Sequence, residues 1–343
     1  MTARALLLLM GLCTALAGVQ AQPLTLLRPR DVARWGVPRG NYSGITPLGD
    51  GRYAVVNDKE ERDGFYVWHI QQDPQSGQVT RVTCEGFRGG VPAVSPAGGR
   101  DAEGVAFVPA DSTVWISGEA DQRVVAHRLD GQPAGRELTV PTAYGTAAIH
   151  GNYGFEALAY DAATGCLWTV TENVVRAVGH PVSPLHPTPR EVQLLGFTLD
   201  GVLRHTIPYT LEAPVETRCG RHYGFGVVAL WTAGGGTLWV LEREAMADSR
   251  PLRNRTHLRL FAIDLRRALA EGTPATKRSL LAFDTRMRLV RPRWANYEGL
   301  CQGQTLADGR RTWLMVCDSQ NRKGRRWCHL HDLLRVVVEG HDN

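Results

Sequence analysis

Glu103, Glu156 and Glu298 each sit at the start of an apolar run, and each is followed by a small residue. The runs read D-A-E-G-V-A-F from Asp101, G-F-E-A-L-A-Y-D from Gly154 and N-Y-E-G-L from Asn296. A second set of acids closes the apolar run that follows: Asp58, Glu119, Glu172, Glu242 and Asp318. Carboxylates gathered in this number repel one another unless a cation lies among them. Calcium suits such a setting, because it takes about six to eight oxygen ligands in flexible geometry. Asn57, Asn152, Asn173 and Asn296 add amide oxygens to the same set. The chemistry this favours is cation-assisted hydrolysis, in which the cation polarises an ester or phosphoryl oxygen and acidifies a water. Glu156 or Glu298, with Glu103 as a third candidate, would act as general base. Lys59, Arg221, His222 and Arg243 are placed to neutralise a phosphate. The plainer alternative is that each repeated glutamate accepts backbone N–H bonds and fixes its strand.

The acids recur because the segment carrying them recurs. Asn152 to Glu172 reads as two short strands around a polar turn closed by Gly165, a β-hairpin. The same order of features returns over Asn41 to Asp58, Asp101 to Glu119, Tyr223 to Glu242 and Asn296 to Asp318. Further strand-like runs follow some copies, such as Arg123 to Leu129 and Leu258 to Ile263. A lone hairpin is marginal in water, and a four-stranded module apolar on both faces must stack on its neighbours. Repetition with this strand content predicts an all-β chain, a β-propeller with five or six blades of mostly four-stranded antiparallel sheets. Leu24 to Leu27 is expected to close the ring as an outer strand of the last blade. The fourth copy departs from the rest: Gly226 stands where the others carry Ser43 or a glutamate. That leaves a gap in the ring of acids.

The chain opens with Arg4, an apolar run from Ala5 to Ala17 and a small-x-small site at Val19-Gln20-Ala21. This is the pattern of a signal peptide over residues 1–21, with residues 22–343 as one propeller domain, exported to the periplasm or secreted. Lipidation at Cys13 is disfavoured by the bulk of Leu12. No later apolar run is long enough to span a membrane. The composition, 43% hydrophobic and 21% charged with a net charge of +5, is that of an ordinary globular chain. Arginines cluster at Arg250 to Arg259, Arg286 to Arg293 and Arg322 to Arg326, but no nucleic-acid-binding motif accompanies them. Of seven cysteines, six follow the leader, and an even number in an exported chain suggests disulfides. Cys301 and Cys317, on successive strands of the last module, are the natural pair.

Taken together, D-A-E-G-V-A-F, G-F-E-A-L-A-Y-D, N-Y-E-G-L and the opening N-Y-S-G-I with D-G-R-Y-A-V-V-N-D-K resemble the phytase-like family known as "esterase-like activity of phytase". The resemblance runs from about Asn41 to Asp318. It implies a β-propeller, export, and hydrolysis of an ester, phosphate esters included. Acid-Gly strand starts also occur in other propellers, calcium-dependent lactonases among them. G-x-S-x-G, H-E-x-x-H and G-x-x-x-x-G-K-[ST] are all absent. The reading is an exported, calcium-assisted hydrolase, monomeric, acting on a small-molecule ester or phosphorylated substrate. A lactonase, or a non-catalytic propeller that binds a ligand or protein, are the alternatives.

Overall fold

The computed structural model describes residues 23–92, 99–288, 294–320, 324–325 and 328–340. The leader over residues 1–21, with Cys13, lies outside the described residues. Five antiparallel sheets form a ring. Blade 1 runs outward through Tyr42–Gly49, Arg52–Asn57, Arg62–Gln72 and Val79–Pro92. Blade 2 uses Ala102–Val108, Thr113–Gly118, Val124–Arg128 and Pro133–Glu137. Blade 3 uses Phe155–Asp161, Cys166–Thr171, Glu191–Thr198 and Leu203–Thr210. Blade 4 uses His222–Gly234, Thr237–Ala247, Arg255–Asp264 and Arg278–Arg286. Blade 5 takes Asn296–Gln302, Thr312–Asp318 and Leu333–Glu339 from the C-terminal end of the chain.

The outer strand of blade 5 comes from the other end of the chain. Leu24–Leu26 pairs antiparallel with Leu333–Glu339, Leu24 opposite Glu339 and Leu26 opposite Val337. This is the closure expected from the sequence, and it covers an edge that would otherwise be open to pairing with another chain. Each inner strand packs against the inner strands of both neighbours, so the ring closes with five blades and the six-blade alternative falls. The long segments between modules three and four and within module four are loops and strand extensions rather than an extra blade. Among the described residues, no helix is long and apolar enough to cross a membrane.

The second strand of each blade carries a large buried aromatic residue: Trp115, Trp168 and Trp239 pack toward the following blade, and Tyr53 and Trp313, one residue earlier in their strands, pack toward the preceding one. The indole N–H of Trp168 donates to Thr164 Oγ1 at 3.2 Å, and that of Trp115 to Thr113 Oγ1 at 3.1 Å. Their polar atoms are therefore satisfied and their rings are free to fill the space between blades. The cysteine pairing does not hold. Cys301 lies opposite Leu314 and Cys317 opposite Tyr297, and the two side chains pack into different apolar clusters. Cys84, Cys166, Cys219, Cys301 and Cys317 are all free thiols.

Because Trp168 fills an inter-blade seam, Trp168→Ala is expected to cost about 3–5 kcal/mol of stability. Chemical denaturation with the slope held constant checks this.

Candidate active site

In each blade the inner strand begins at the end of the sheet where the second strand stops. The two sets of acids therefore reach the same mouth of the channel. A break in strand register sets their direction. Phe155 lies opposite Thr171 and Ala157 opposite Val170, so Glu156 is the extra residue of a β-bulge. Ser43 and Glu298 occupy the same bulge in blades 1 and 5. Glu103 and Gly104 share it in blade 2. In blade 4 the bulge falls between Val227 and Ala229, which places Val228 at this position.

The fourth blade therefore corrects the sequence reading twice. Gly226 is not the counterpart of Glu156; Val228 is. The residue matching Asp58, Glu119, Glu172 and Asp318 is Arg243, not Glu242. Neighbouring residues on a strand face opposite ways, so Glu242 points out of the site. It is fully buried, accepts from Tyr209 Oη at 2.8 Å and from the Glu212 amide at 3.2 Å, and meets Lys277 Nζ at 3.0 Å. Gly226 has a packing role: a Cβ there would lie 1.8 Å from the Glu172 carbonyl oxygen. The signal that locates the bulge is the small-then-aliphatic pair after it: Gly44-Ile45, Gly104-Val105, Ala157-Leu158, Ala229-Leu230 and Gly299-Leu300. The misreading came from matching Phe225-Gly226 to Phe155-Glu156.

The cavity at the mouth holds about 380 Å³ and is lined by Asp58, Lys59, Glu103, Glu156, Glu172, Arg243, Glu298 and Asp318, with Asn152, Tyr153, Tyr223, Gly224 and Gln320 at its edge. Carboxylate oxygens of Asp58, Asp101 and Glu103 lie within 4.8 Å of one another, and so do those of Glu119, Glu156 and Glu172. Arg243 ties the ring together. Its Nη2 donates to Glu172 Oε1 at 2.6 Å, and its Nη1 to Asn296 Oδ1 at 3.2 Å and to Glu298 Oε1. Asn296 Nδ2 also donates to Glu298 Oε1, at 2.7 Å. Lys59 Nζ, half exposed at the rim, bonds Asp101 at 2.6 Å and Asp58 at 2.9 Å.

Lys59 and Arg243 thus face the site, but both already neutralise carboxylates, so neither stands free for a phosphate. His222 borders an adjoining cavity. Arg221 is exposed and lines neither cavity. Asn57 and Asn173 are committed to backbone: Asn57 Oδ1 accepts the amides of Asn41 and Lys59, and Asn173 bonds Val174, Val182 and Phe225. Asp101, Tyr153 and Tyr223 were not singled out from the sequence, because they stand at the openings of the repeated segments where residue type varies from copy to copy, and Gln320 lies just past the last segment.

Burial dominates the electrostatics. Burial, then the charge of Asp318, pushes Asp58 up to about 7. Burial, then Glu172, pushes Glu119 up to about 8. Burial raises Glu103, Glu156 and Glu298 well above the usual carboxylate range, and neighbouring acids add to it in each case. Burial works against the charge of Arg243, but Glu298, Glu172 and Glu156 outweigh it and hold the guanidinium protonated. Asp58 Oδ1, Glu119 Oε2 and Glu156 Oε2 are buried without a hydrogen-bond partner. Unpartnered acceptors of this kind, in an all-oxygen donor set, fit a hard cation such as calcium.

The chain belongs to the phytase-like family: the family described as "esterase-like activity of phytase" matches residues 37–320. Among solved structures it is similar to the PQQ-bound aldose sugar dehydrogenase of Streptomyces coelicolor, at 15% identity over 93% of this chain and 100% of that one, with a TM-score of 0.40. It is also similar to an endo-arabinase of Bacteroides thetaiotaomicron, at 9% identity over 91% and 97% of the two chains, with a TM-score of 0.49. No curated protein matches the chain.

Two outcomes are expected. Arg243→Met strips Glu172 and Glu298 of their buried partner and should destabilise the fold by about 3–5 kcal/mol near pH 8. Urea denaturation should show the loss shrinking toward pH 5, where the carboxyls protonate. The second concerns the wild-type protein free of divalent cations. Asp58 and Glu119 have folded-state values above their ordinary 3.8 and 4.5. The folded state therefore holds protons that the unfolded state has released, and stability falls as pH rises through this window. The Tm should drop between about pH 5 and about pH 8, and added calcium should flatten the slope.

Proposed function

We propose that this protein is an exported hydrolase that cleaves an ester with calcium held among the carboxylates at the mouth of the channel. The observation that carries the reading is a charge imbalance. Asp58, Asp101, Glu103, Glu119, Glu156, Glu172, Glu298 and Asp318 gather around two cations, Lys59 and Arg243. Family membership supports an ester as the substrate. Calcium, when bound, supplies polarisation of the ester oxygen and a more acidic water.

The remaining steps fall to side chains. Glu298 accepts from both Arg243 and Asn296, so its oxygen is occupied. With Asp58 and Glu119 left to hold the cation, Glu156 keeps Oε2 unpartnered at the cavity wall and is the better general base. Its raised proton affinity suits it to take the proton of the attacking water and return it to the leaving alcohol. Arg243 holds Glu172 in place beside Glu156 and limits the negative charge that builds on the pair. So many acids disfavour a substrate with many negative charges of its own. A carboxylic ester, or a phosphate monoester masked by the cation, fits this field better than a polyphosphate.

The test is turnover of a short chromogenic carboxylic ester and a chromogenic phosphate monoester, each with calcium and with chelator. Calcium-dependent turnover, stronger for the carboxylic ester, is expected. Chelator-insensitive turnover, or none of either substrate, overturns the reading. Glu156→Gln should lower kcat by about a hundredfold or more with little change in KM or Tm.

A further inference from the structure

The acidic cavity is not the whole of the concave surface. A second cavity of about 290 Å³ opens beside it, lined in part by Tyr223, Arg243, Met246, Ala247, Trp294 and Leu330. Tyr223 and Arg243 line both. Among the described residues, no carboxylate lines the second one. Arg243 is thus the border: its guanidinium faces the acids, and beyond it Ala245, Ala247, Trp294 and Leu330 form an apolar side of a cavity whose other side carries Asn152, His222, Asn296 and Gln320. Trp294 and Leu330 pack with Met287 and Ala247 into a small apolar cluster of their own, apart from the main core. The Trp294 indole N–H is satisfied by Thr256 Oγ1 at 3.2 Å, so its ring makes no polar demand on an occupant.

This pocket exists because the first hairpin of blade 4 is longer than the others at the site end. His222 opposite Ala247, Tyr223 opposite Met246 and Gly224 opposite Ala245 are pairs added beyond the acid ring. Gly224 keeps the junction open, since a Cβ there would come within 3.3 Å of Arg243 Nη2. An apolar recess joined to a charged reacting centre is the arrangement that holds a substrate by one part and works on another.

We propose that the second cavity is the specificity pocket of the same site, and that the substrate is an ester carrying one apolar aryl or alkyl group seated against Ala247, Trp294 and Leu330. The inference rests on the hydrolase reading for its chemistry and on the pocket alone for its binding. The ester bond lies on the acid side of Arg243 and the apolar group on the other. A fully hydrophilic substrate would leave this recess unused.

The experiment compares kcat/KM in a pH-stat for methyl acetate, methyl 3-phenylpropanoate and 2-phenylethyl acetate, with calcium present. The second ester carries the apolar group on the acyl side and the third on the alcohol side. At least one should exceed methyl acetate by about tenfold or more. Ala247→Leu, which fills the pocket without touching the acids, should cancel that advantage and bring the favoured ester down to the level of methyl acetate. Ala247→Val serves if the leucine variant shows a collapsed melting curve. In parallel, calorimetry of 3-phenylpropanoate and acetate on the calcium-loaded protein reads binding without turnover. The larger ligand should bind about tenfold tighter in the wild type and no tighter in the variant. If that binding contrast holds with no hydrolysis, the pocket stands and the hydrolase reading falls. If hydrolysis occurs without any preference for the apolar esters, or if Ala247→Leu slows all three equally, the specificity pocket is overturned.

Discussion

Where the five inner strands meet, a Cβ on Gly44 would lie 2.3 Å from the carbonyl oxygen of Glu103, and one on Gly104 would lie 2.7 Å from the Leu158 amide. This crowding explains the acid-then-small motif. The small residue lets neighbouring backbones approach, and the bulge it follows turns the preceding side chain toward the mouth. Below that level the channel closes. Ile45, Val105, Leu158, Leu230 and Leu300, one from each blade, border a void of about 10 Å³. The acids therefore stand on an apolar floor, with solvent on one side only. Desolvation then raises their proton affinity, and the site becomes a blind cavity instead of a through-channel.

Arg243 is the response of this chain to that desolvation. Five identical blades would place five acids on the outer ring around one axis. Here the fourth position is a guanidinium that reaches across to Glu172 of blade 3 and Glu298 of blade 5. A planar group with several donors can hold two carboxylates at fixed geometry, which a lysine could not do as well. The arginine also breaks the symmetry. It leaves the acids grouped as Asp58, Asp101 and Glu103 on one side and Glu119, Glu156 and Glu172 on the other. The unpartnered oxygens of Asp58, Glu119 and Glu156 belong to residues of these two groups.

The repeat was legible because its period is carried by many residues at once: strand alternation, turn glycines, a second-strand aromatic and terminal acids. The N-terminal closure was legible for a related reason, since Leu24 to Leu27 is strand-like and the last module lacked its outer strand. Register within blade 4 was not legible from strand starts. Its hairpin begins several residues earlier than in the other blades, so a match made at the first aromatic-glycine step slid the inner strand by two residues. On the second strand the terminal-acid rule picked Glu242 over Arg243, an error of one residue, and on a strand one residue exchanges the two faces. The cysteines misled for a different reason. Cys301 and Cys317 lie on adjacent strands, but adjacency in a hairpin does not make two residues cross-strand partners.

The same extension that hid the register of blade 4 is what makes the site directional. A symmetric ring of acids could hold a cation but would offer a substrate five equivalent approaches. Lengthening one hairpin raises a wall on one side only, and Ala247 on that wall packs beside Trp294 and Leu330 at the second cavity. The substitution of Arg243 for an acid occurs on that same hairpin, at the base of the wall. Blade 4 thus contributes no carboxylate to either ring, yet it fixes where the charge ends and where an apolar group can lie. The other blades supply the reacting field, and the departure of the fourth from their pattern gives that field an orientation.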